Sequence, residues 1–319
     1  MLAVTQGVRG DGEVRLQTAS ATMVEQVPGV GRVRRRQRNW LPALMIAPAI
    51  LFVLGISAYP IADAIDLSLY RTEFANKVGF IGLANYTRLL ADPTIWADAG
   101  RSAVYALGSL LVVLPYSMGL ALLLEQDVPF RGLFRTLAIV PWIFSQTITA
   151  LLWGWLLNPD FGMAAYIVQS LSGLHLQALA TPWGAMGTVI FANVWASYPM
   201  ATLLFMAALQ TIPGELYEAA DVDGATGWKR FWFVTEPLLR PTVLVVVIQL
   251  TLQYLNMVTL LYVLTGGGPL GGTETLALRV LKTSFENWDL GAGSALGVLI
   301  TTANIFLSLI YIRALKERS

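Results

Sequence analysis

Cysteine is absent from the 319 residues of this chain, and histidine occurs once, at position 175. Without thiols the chain forms no disulfide and offers no thiolate to a metal, and a lone histidine in a predicted outer loop has no companion ligand. Charged side chains make up only 13% of residues, and the net charge is +1. That balance gives no indication of nucleic-acid binding. We therefore expect no metal site and no nucleic-acid partner.

Apolar side chains dominate the chain instead, at 55% of residues, with a mean hydropathy of +0.61. A helix that crosses the hydrocarbon core of a bilayer needs about 20 apolar residues. Six segments satisfy that requirement. The sequence therefore predicts an all-α membrane protein with six transmembrane helices, at residues 41–59, 104–124, 133–157, 186–209, 243–264 and 292–311.

The basic residues predict the orientation of these helices, because cytoplasmic segments carry the excess of Lys and Arg. With the N-terminus inside, six basic residues fall outside and the other 15 of the 21 fall inside. We predict that both termini are cytoplasmic, that residues 1–39 form a disordered basic tail whose arginines lie on anionic membrane lipid, and that residues 40–319 form the transmembrane domain. The six outside are Arg71, Lys77, Arg88, Arg101, Arg279 and Lys282.

Residues 210–240 join the fourth and fifth predicted spans on the cytoplasmic side. Pro213 stands near the start of a segment with helix-forming composition, Glu215 and Glu218 lie in its early turns, and Gly224 suits a helix end. The sequence predicts a short helix followed by a turn. Spacing alone does not distinguish it from an ordinary amphipathic connector.

Polar side chains recur inside the fourth and fifth predicted spans. Gln249, Gln253 and Asn256 follow at i, i+4 and i+7 on one helix face, and Asn193 and Ser197 follow at i and i+4. Amides and hydroxyls suit a neutral polyol, but they also join transmembrane helices to one another. Both interpretations stay open. Because no Lys or Arg lies near the middle of these spans, a neutral solute is favoured over an anionic one.

The loop between these spans resembles the EAA loop of permease subunits in binding-protein-dependent ABC importers. The resemblance lies in the run Glu218-Ala219-Ala220, then Gly224 after three residues, Val234 after nine more, and Pro237. Val234 replaces the usual Ile, and Glu236 stands where the family usually has Leu. Two further segments resemble the first permease of maltose-type carbohydrate importers, namely residues 80–93, which begin Phe-Ile-Gly-Leu-Ala-Asn-Tyr, and residues 264–275, which begin Leu-Thr-Gly-Gly-Gly-Pro.

The resemblance implies a permease subunit in the inner membrane of a bacterium or archaeon, with a cytoplasmic coupling helix between the fourth and fifth transmembrane helices. It implies a second homologous permease, two copies of an ATPase subunit that hold ATP and magnesium, and a solute-binding protein that delivers a sugar. This chain has no Walker A pattern and is not expected to be an enzyme. The implied ATPase-coupling residues are Glu218, Ala219, Ala220, Asp221, Asp223 and Gly224, and the implied sugar-contact positions are Ser197, Met200, Gln253, Tyr254 and Met257, which join Asn193, Gln249 and Asn256 as the candidate path.

Two other classes of protein are compatible with six apolar spans. A secondary transporter or channel would need an ion site or charged residues in the membrane interior. That interior is nearly free of ionisable residues here, and Asp63 and Asp66 lie toward the outer end of the first span. A membrane-embedded enzyme would need paired acids or a histidine-rich metal motif at a span boundary. Neither pattern occurs, so we favour the importer subunit.

Overall fold

The computed structural model describes residues 41–316 except 75, 127, 128, 174 and 176. The predicted cytoplasmic tail at 1–39 lies outside the described residues. The described chain divides into two units after Ile56, within helix α1 (Leu41–Ser68), and the second unit begins at residue 57. Every site discussed below belongs to the second unit.

The second unit is built almost entirely of helices, with one small sheet near its beginning. After α1 come, in order, β1 (Tyr70–Glu73), β2 (Asn76–Phe80), α2 (Ala84–Ala91), α3 (Pro93–Glu125), α4 (Arg131–Ile143), α5 (Gln146–Leu156), α6 (Met163–Ser172), α7 (Pro182–Leu209), α8 (Gly214–Val222), α9 (Trp228–Arg230), α10 (Glu236–Leu255), α11 (Thr259–Thr265), α12 (Leu276–Leu281) and α13 (Leu290–Lys316). Helix α9 leads into α10 through a π-helical turn (Phe231–Thr235), and a second π-helical turn (Lys282–Glu286) follows α12.

Five helices in the described part of the chain are long and apolar enough to cross a membrane. The prediction of a single helix at 133–157 is wrong: α4 and α5 replace it, bent by 98°, and together they give a possible sixth span. Two residues explain the break. Pro141 lies in the last turn of α4, and Ser145 caps the start of α5, since its Oγ accepts a hydrogen bond from the Ile148 N–H at 3.3 Å. The five are Leu44–Ser68, Pro93–Glu125, Pro182–Leu209, Trp228–Leu255 and Leu290–Arg313.

The predicted fifth span at 243–264 is also wrong as one continuous helix. Helix α10 ends at Leu255, and α11 begins only at Thr259. The side-chain amide of Asn256 donates a hydrogen bond to the Leu252 carbonyl at 2.7 Å. An asparagine side chain that bonds the backbone in this way competes with the helical ladder, which is consistent with a helix end at this residue.

A two-stranded antiparallel sheet, β1 with β2, departs from the all-helical prediction. The sheet is fixed to its neighbours by polar side chains. Thr72 Oγ1 accepts a hydrogen bond from the Gly291 N–H at 2.8 Å, which joins β1 to the first turn of α13. The buried Asn85 amide donates to the carbonyls of Ser68 and Tyr70 at 2.9 and 3.1 Å. The asparagine of the Phe-Ile-Gly-Leu-Ala-Asn-Tyr segment therefore holds the end of α1 and the start of β1.

The glycine-rich segment after α11 forms a turn that needs glycine. Gly266 and Gly267 have φ values of +60° and +88°, which side-chain-bearing residues rarely adopt. Thr273 is fully buried and closes the turn, since its hydroxyl lies 2.7 Å from the Thr265 hydroxyl and donates to the Gly268 carbonyl at 2.9 Å. Thr275 then caps α12 by accepting from the Leu278 N–H at 3.4 Å.

The hydrophobic core lies where α3, α7 and α10 pack together with α11. Small residues on α7 let these helices approach closely, and large apolar side chains fill the space between them. At the predicted outer end the fully buried Asp98 of α3 accepts a hydrogen bond from Arg279 Nε of α12 at 2.7 Å and also pairs with Arg101. This ion-pair group fixes the start of α3 to α12.

Candidate functional site

The polar residues predicted in the fourth and fifth spans fall into two groups, and the first group is buried. Asn193, Ser197 and Tyr254 are 0%, 4% and 1% exposed. The Tyr254 hydroxyl lies 2.7 Å from Ser197 Oγ, and Asn193 Nδ2 donates to Ser109 Oγ at 3.1 Å. These bonds join α3, α7 and α10. In the described conformation this group connects helices and does not face an open path.

The second group is exposed and consists of amides. Gln249 and Gln253 lie on the exposed face of α10, and Asn256 follows at its end. We call these three residues the amide face. Asn256 Oδ1 accepts a hydrogen bond at 3.2 Å from Nδ2 of Asn304, a half-buried residue of α13. Sequence reasoning missed Asn304, although an amide in the middle of the apolar segment Leu290–Arg313 is itself a signal. Amides at this depth are unfavourable against lipid, so this face fits a water-filled path or a partner chain.

Three candidate residues and a neighbouring tyrosine differ from the exposed amides. Met200 is half-buried and Met257 is 8% exposed, so neither joins the amide face. The Tyr105 hydroxyl and Asn193 Oδ1 are buried and have no hydrogen-bond partner among the described residues. Unsatisfied groups of this kind are uncommon in a packed core. At the α3–α7 contact, these two polar groups could therefore each form a further hydrogen bond.

Helix α8 ends in a Schellman turn at the position predicted for the helix stop. The Ala225 N–H donates to the Ala220 carbonyl at 2.8 Å, and the Gly224 N–H donates to the Asp221 carbonyl at 3.1 Å. Gly224 has a φ of +74°. A Cβ placed there would have no neighbour within 4 Å, so the subunit itself requires glycine for its backbone conformation and not for space.

The predicted coupling residues are mostly exposed. Only Ala220 is half-buried; Glu218, Ala219, Asp221, Asp223 and Gly224 are all exposed. Asp221 differs from the other acids because both of its carboxylate oxygens accept from Arg230 at 3.2 Å. The Arg230 guanidinium also lies 5.3 Å from the centre of the Tyr217 ring, and the Tyr217 hydroxyl lies 3.2 Å from Thr235 Oγ1. One side of α8 is therefore fixed to α9 and the π-helical turn, while its other side faces outward.

An open cleft of about 680 Å³ separates this loop from the end of α3. Glu125 lies at its edge and forms ion pairs with Arg131 and Arg135 at 3.1 and 3.2 Å. The Gln210 amide, at the end of α7, donates to the same carboxylate at 3.5 Å. Glu125 thus connects the ends of α3, α4 and α7 next to the loop.

Glu236, which stands where the resembling family usually has Leu, has a local partner. Both of its carboxylate oxygens accept from Arg240 Nε, at 2.9 and 3.0 Å, one helical turn later. This exposed i, i+4 pair stabilises the first turn of α10. The carboxylate at this position is therefore paired within its own helix.

Asp92 shows how the segment before α3 is built. Its carboxylate caps α3 by accepting from the Thr94 N–H at 2.8 Å, and this hydrogen bond lowers the pKa of Asp92 below its ordinary value. Pro93 follows at the first helical position, where its missing N–H costs nothing.

Among the described residues no group of three or more His, Cys, Asp or Glu side chains is arranged to hold a metal ion.

Comparison with known proteins gives a consistent result. The chain is 33% identical over 276 residues to the trehalose/maltose transport system permease protein MalF of Thermococcus litoralis, covering 86% of this chain and 93% of that protein. It is 32% identical over 284 residues to the sn-glycerol-3-phosphate transport system permease protein UgpA of Agrobacterium fabrum, covering 87% and 95%. Both relatives are named as permease proteins of transport systems.

The fold is also similar to that of a solved structure, a chain of a bacterial alginate ABC transporter in complex with an alginate pentasaccharide-bound periplasmic protein. The TM-score is 0.74 at 20% identity, with 86% of this chain and 93% of that chain covered. Residues 39–318 match the family described as the inner membrane component of binding-protein-dependent transport systems. The chain belongs to that family.

Proposed function

We propose that this chain forms half of the translocation path of an ATP-driven importer for a neutral sugar, either a disaccharide, an oligosaccharide or a related glycoside. One observation carries the choice of solute: the exposed face of α10 presents the amides of Gln249, Gln253 and Asn256, joined by Asn304 of α13. Amides donate and accept hydrogen bonds, as sugar hydroxyls do. The names of the relatives also support a sugar as the solute, since one of them is named as a trehalose/maltose transport protein.

The other named solute, sn-glycerol 3-phosphate, is an anion, and the charge of the path argues against it here. Helix α7 contains no Lys or Arg, and in α10 the single basic residue, Arg240, lies in the second turn and pairs with Glu236. Phosphate sites in proteins generally offer Arg, Lys or backbone N–H groups. The amide face has no cationic side chain among its members.

The buried group takes a different role in this proposal. Ser197 and Tyr254 hold α7 against α10, Asn193 holds α7 against α3, and Met257 lies in the same buried core. Resemblance to the family places some of these positions at the sugar, so they would contact it only after α7 and α10 separate. The exposed amides would meet the solute first.

Coupling to ATP hydrolysis is assigned to α8 and the turn after it. The exposed Glu218, Ala219 and Asp223 form the surface that would dock on an ATPase subunit, and the contacts of Asp221 and Tyr217 would transmit its movement to α9 and α10. The ATP and magnesium would belong to two copies of that subunit. A second homologous permease would complete the path, and a solute-binding protein would deliver the sugar to the outer side.

Reconstitution of the complex tests this proposal. Uptake and ATP hydrolysis are measured in vesicles with the cognate binding protein and, in separate samples, trehalose, maltose or sn-glycerol 3-phosphate. We expect a neutral sugar to stimulate both activities. Stimulation by the phosphate alone would overturn the neutral-solute assignment, and solute uptake by this chain without an ATPase would indicate a secondary transporter or channel.

A further inference from the structure

A cavity of about 790 Å³ opens between β1, α2 and the segment that precedes α13. Its wall includes Phe74 at the tip of the hairpin and Trp288 before α13. The charge count of the connecting segments places these elements on the outer side. The cavity is separate from the amide face of α10, and its lining residues belong neither to the proposed transport path nor to the loop at residues 210–240.

The two aromatic side chains in this wall are held in an unusual way. Phe74 and Trp288 have φ values of 54° and 56°, in the left-handed region that bulky residues rarely adopt. A backbone bridge pairs Phe74 with Asp289, and the two ring centres lie 6.2 Å apart. Nevertheless the residues are 69% and 50% exposed, so the backbone presents both rings to solvent and does not bury them. Backbone strain of this kind is concentrated at ligand-binding positions in proteins.

The charged residues around the rings are already paired with one another. Arg71 lies 3.1 Å from Glu73, and Arg88 lies 3.3 Å from Asp289. Two cations and two anions give the wall no net charge, so it would not attract a phosphate or a metal ion. Each guanidinium and carboxylate still has donors or lone pairs outside its ion pair. The cavity therefore offers hydrogen-bonding groups of both kinds next to two apolar faces.

Side-chain hydrogen bonds hold the elements around the cavity together. Thr72 bonds the backbone of Gly291, and Asp289 caps α13 by accepting from the Ala292 N–H at 2.9 Å. The buried Asn85 amide holds the start of β1, and its Oδ1 accepts from Arg88 at 3.1 Å. Sites that are organised before the ligand arrives lose less entropy on binding.

We infer that this cavity binds a neutral saccharide at the outer surface of the subunit. The rings of Trp288 and Phe74 would pack against the C–H face of a sugar ring, and Arg71, Glu73 and Asp289 would bond its hydroxyls. The concave shape and the volume are typical of a small-molecule site, whereas protein interfaces are larger and flatter. This site goes beyond the proposed function, because it would hold sugar outside the membrane path.

Fluorine NMR of the complete permease complex tests the inference. The complex is labelled with 5-fluorotryptophan in the absence of the binding protein, and the Trp288 resonance is identified by its loss in Trp288→Phe. Trehalose and maltose are the probes, titrated into the millimolar range. We expect a saturable shift of the Trp288 resonance, weakened about tenfold by Phe74→Ala, since loss of one aromatic contact is worth up to about one power of ten in affinity.

Two controls keep the result specific. Phe285→Ala removes an aromatic side chain that is 66% exposed and outside the cavity wall, and it should leave the titration unchanged. The resonance of Trp183, 77% exposed and lining a different cavity, should not move. If Phe74→Ala fails to fold, Arg71→Met, a change at an exposed position, should weaken binding in its place.

The inference is overturned if neither sugar shifts the Trp288 resonance. A parallel sample receives the binding protein without sugar. A Trp288 shift in that sample, with none from sugar alone, would equally overturn the inference, because the aromatic pair would then be a protein-docking surface. ATP-driven uptake is measured separately on the same preparation. A sugar-dependent Trp288 shift without uptake would support this site and count against the proposed function, so the two failures are distinguishable.

Discussion

Substitution of Gly224 gives the sharpest test of the proposal that residues 210–240 couple this chain to an ATPase subunit. Gly224 closes the Schellman turn of α8 with a φ of +74°, and a Cβ there would meet no atom of this chain within 4 Å. Gly224→Ala therefore introduces no internal clash and changes only the backbone preference, which costs about 1–2 kcal/mol for a left-handed residue with a Cβ. That cost changes a two-state population by a factor of about 5–30.

Helix α8 is poorly placed to absorb this cost. It has nine residues and no buried side chain, and helices of that length are marginal on their own. We expect Gly224→Ala to lower solute-stimulated ATP hydrolysis and uptake in vesicles together, by about five- to thirtyfold, because a smaller fraction of subunits would present the closed turn to the ATPase. Copurification of the ATPase subunit should weaken in parallel.

Gly224→Asn is the matched control. Asparagine is larger than alanine but tolerates the left-handed region much better, so it should retain most activity if the backbone conformation is what matters. Asparagine that is as defective as alanine would mean that an ATPase subunit needs the space at this position, contrary to the reasoning. Wild-type activity of Gly224→Ala would show that coupling does not depend on the turn.

Three further predictions follow from the same contacts. Gln253→Leu should reduce uptake and leave the thermal stability of the subunit nearly unchanged, whereas Tyr254→Phe should lower the stability by about 1 kcal/mol because a buried hydrogen bond is lost. Transport assays and thermal unfolding measure the two effects, and the reverse pattern would exchange the roles of the exposed and buried groups. Asp221→Asn should lower stability by no more than about 1 kcal/mol, because its ion pair is half exposed, and a larger loss in thermal unfolding would show that the pair is more than a surface contact. Since the chain has no native cysteine, single cysteines at Trp228 and Leu270 should react with impermeant maleimide only from the cytoplasmic and only from the outer side, respectively, and labelling from the opposite sides would invert the topology.

The lengths of the apolar segments predicted the helical membrane architecture, because the hydropathy of a segment depends on its composition alone. It did not predict the bend between α4 and α5 or the break at Asn256, because both depend on local side-chain bonds inside segments that stay apolar throughout. The hairpin was missed for a related reason. Its strands have four and five residues and are held by contacts with Gly291 and Asn85, which lie far away in sequence.

Periodicity identified the amides of α10 as one face, but it could not say which face is exposed. Gln253 and Tyr254 are adjacent in sequence and have opposite surroundings, because Tyr254 points to Ser197 on α7 while Gln253 is exposed. Only the packing of α3 and α7 against α10 decides this. The partner of Asn256 on α13 was likewise hidden, since contacts between separate helices leave no spacing signal in one sequence.

The 98° bend between α4 and α5 should affect how fast the subunit is degraded in the cell. Around Phe144 and Ser145 the backbone leaves the helical ladder, and at membrane depth lipid offers no hydrogen bonds to the groups that this exposes. The bend therefore needs to be covered by protein or water. A subunit made without the partner chains proposed above would hold this segment against lipid, and we expect such orphan subunits to be degraded faster than assembled ones. Synthesis of the partners in matched amounts would then control how much of this chain persists.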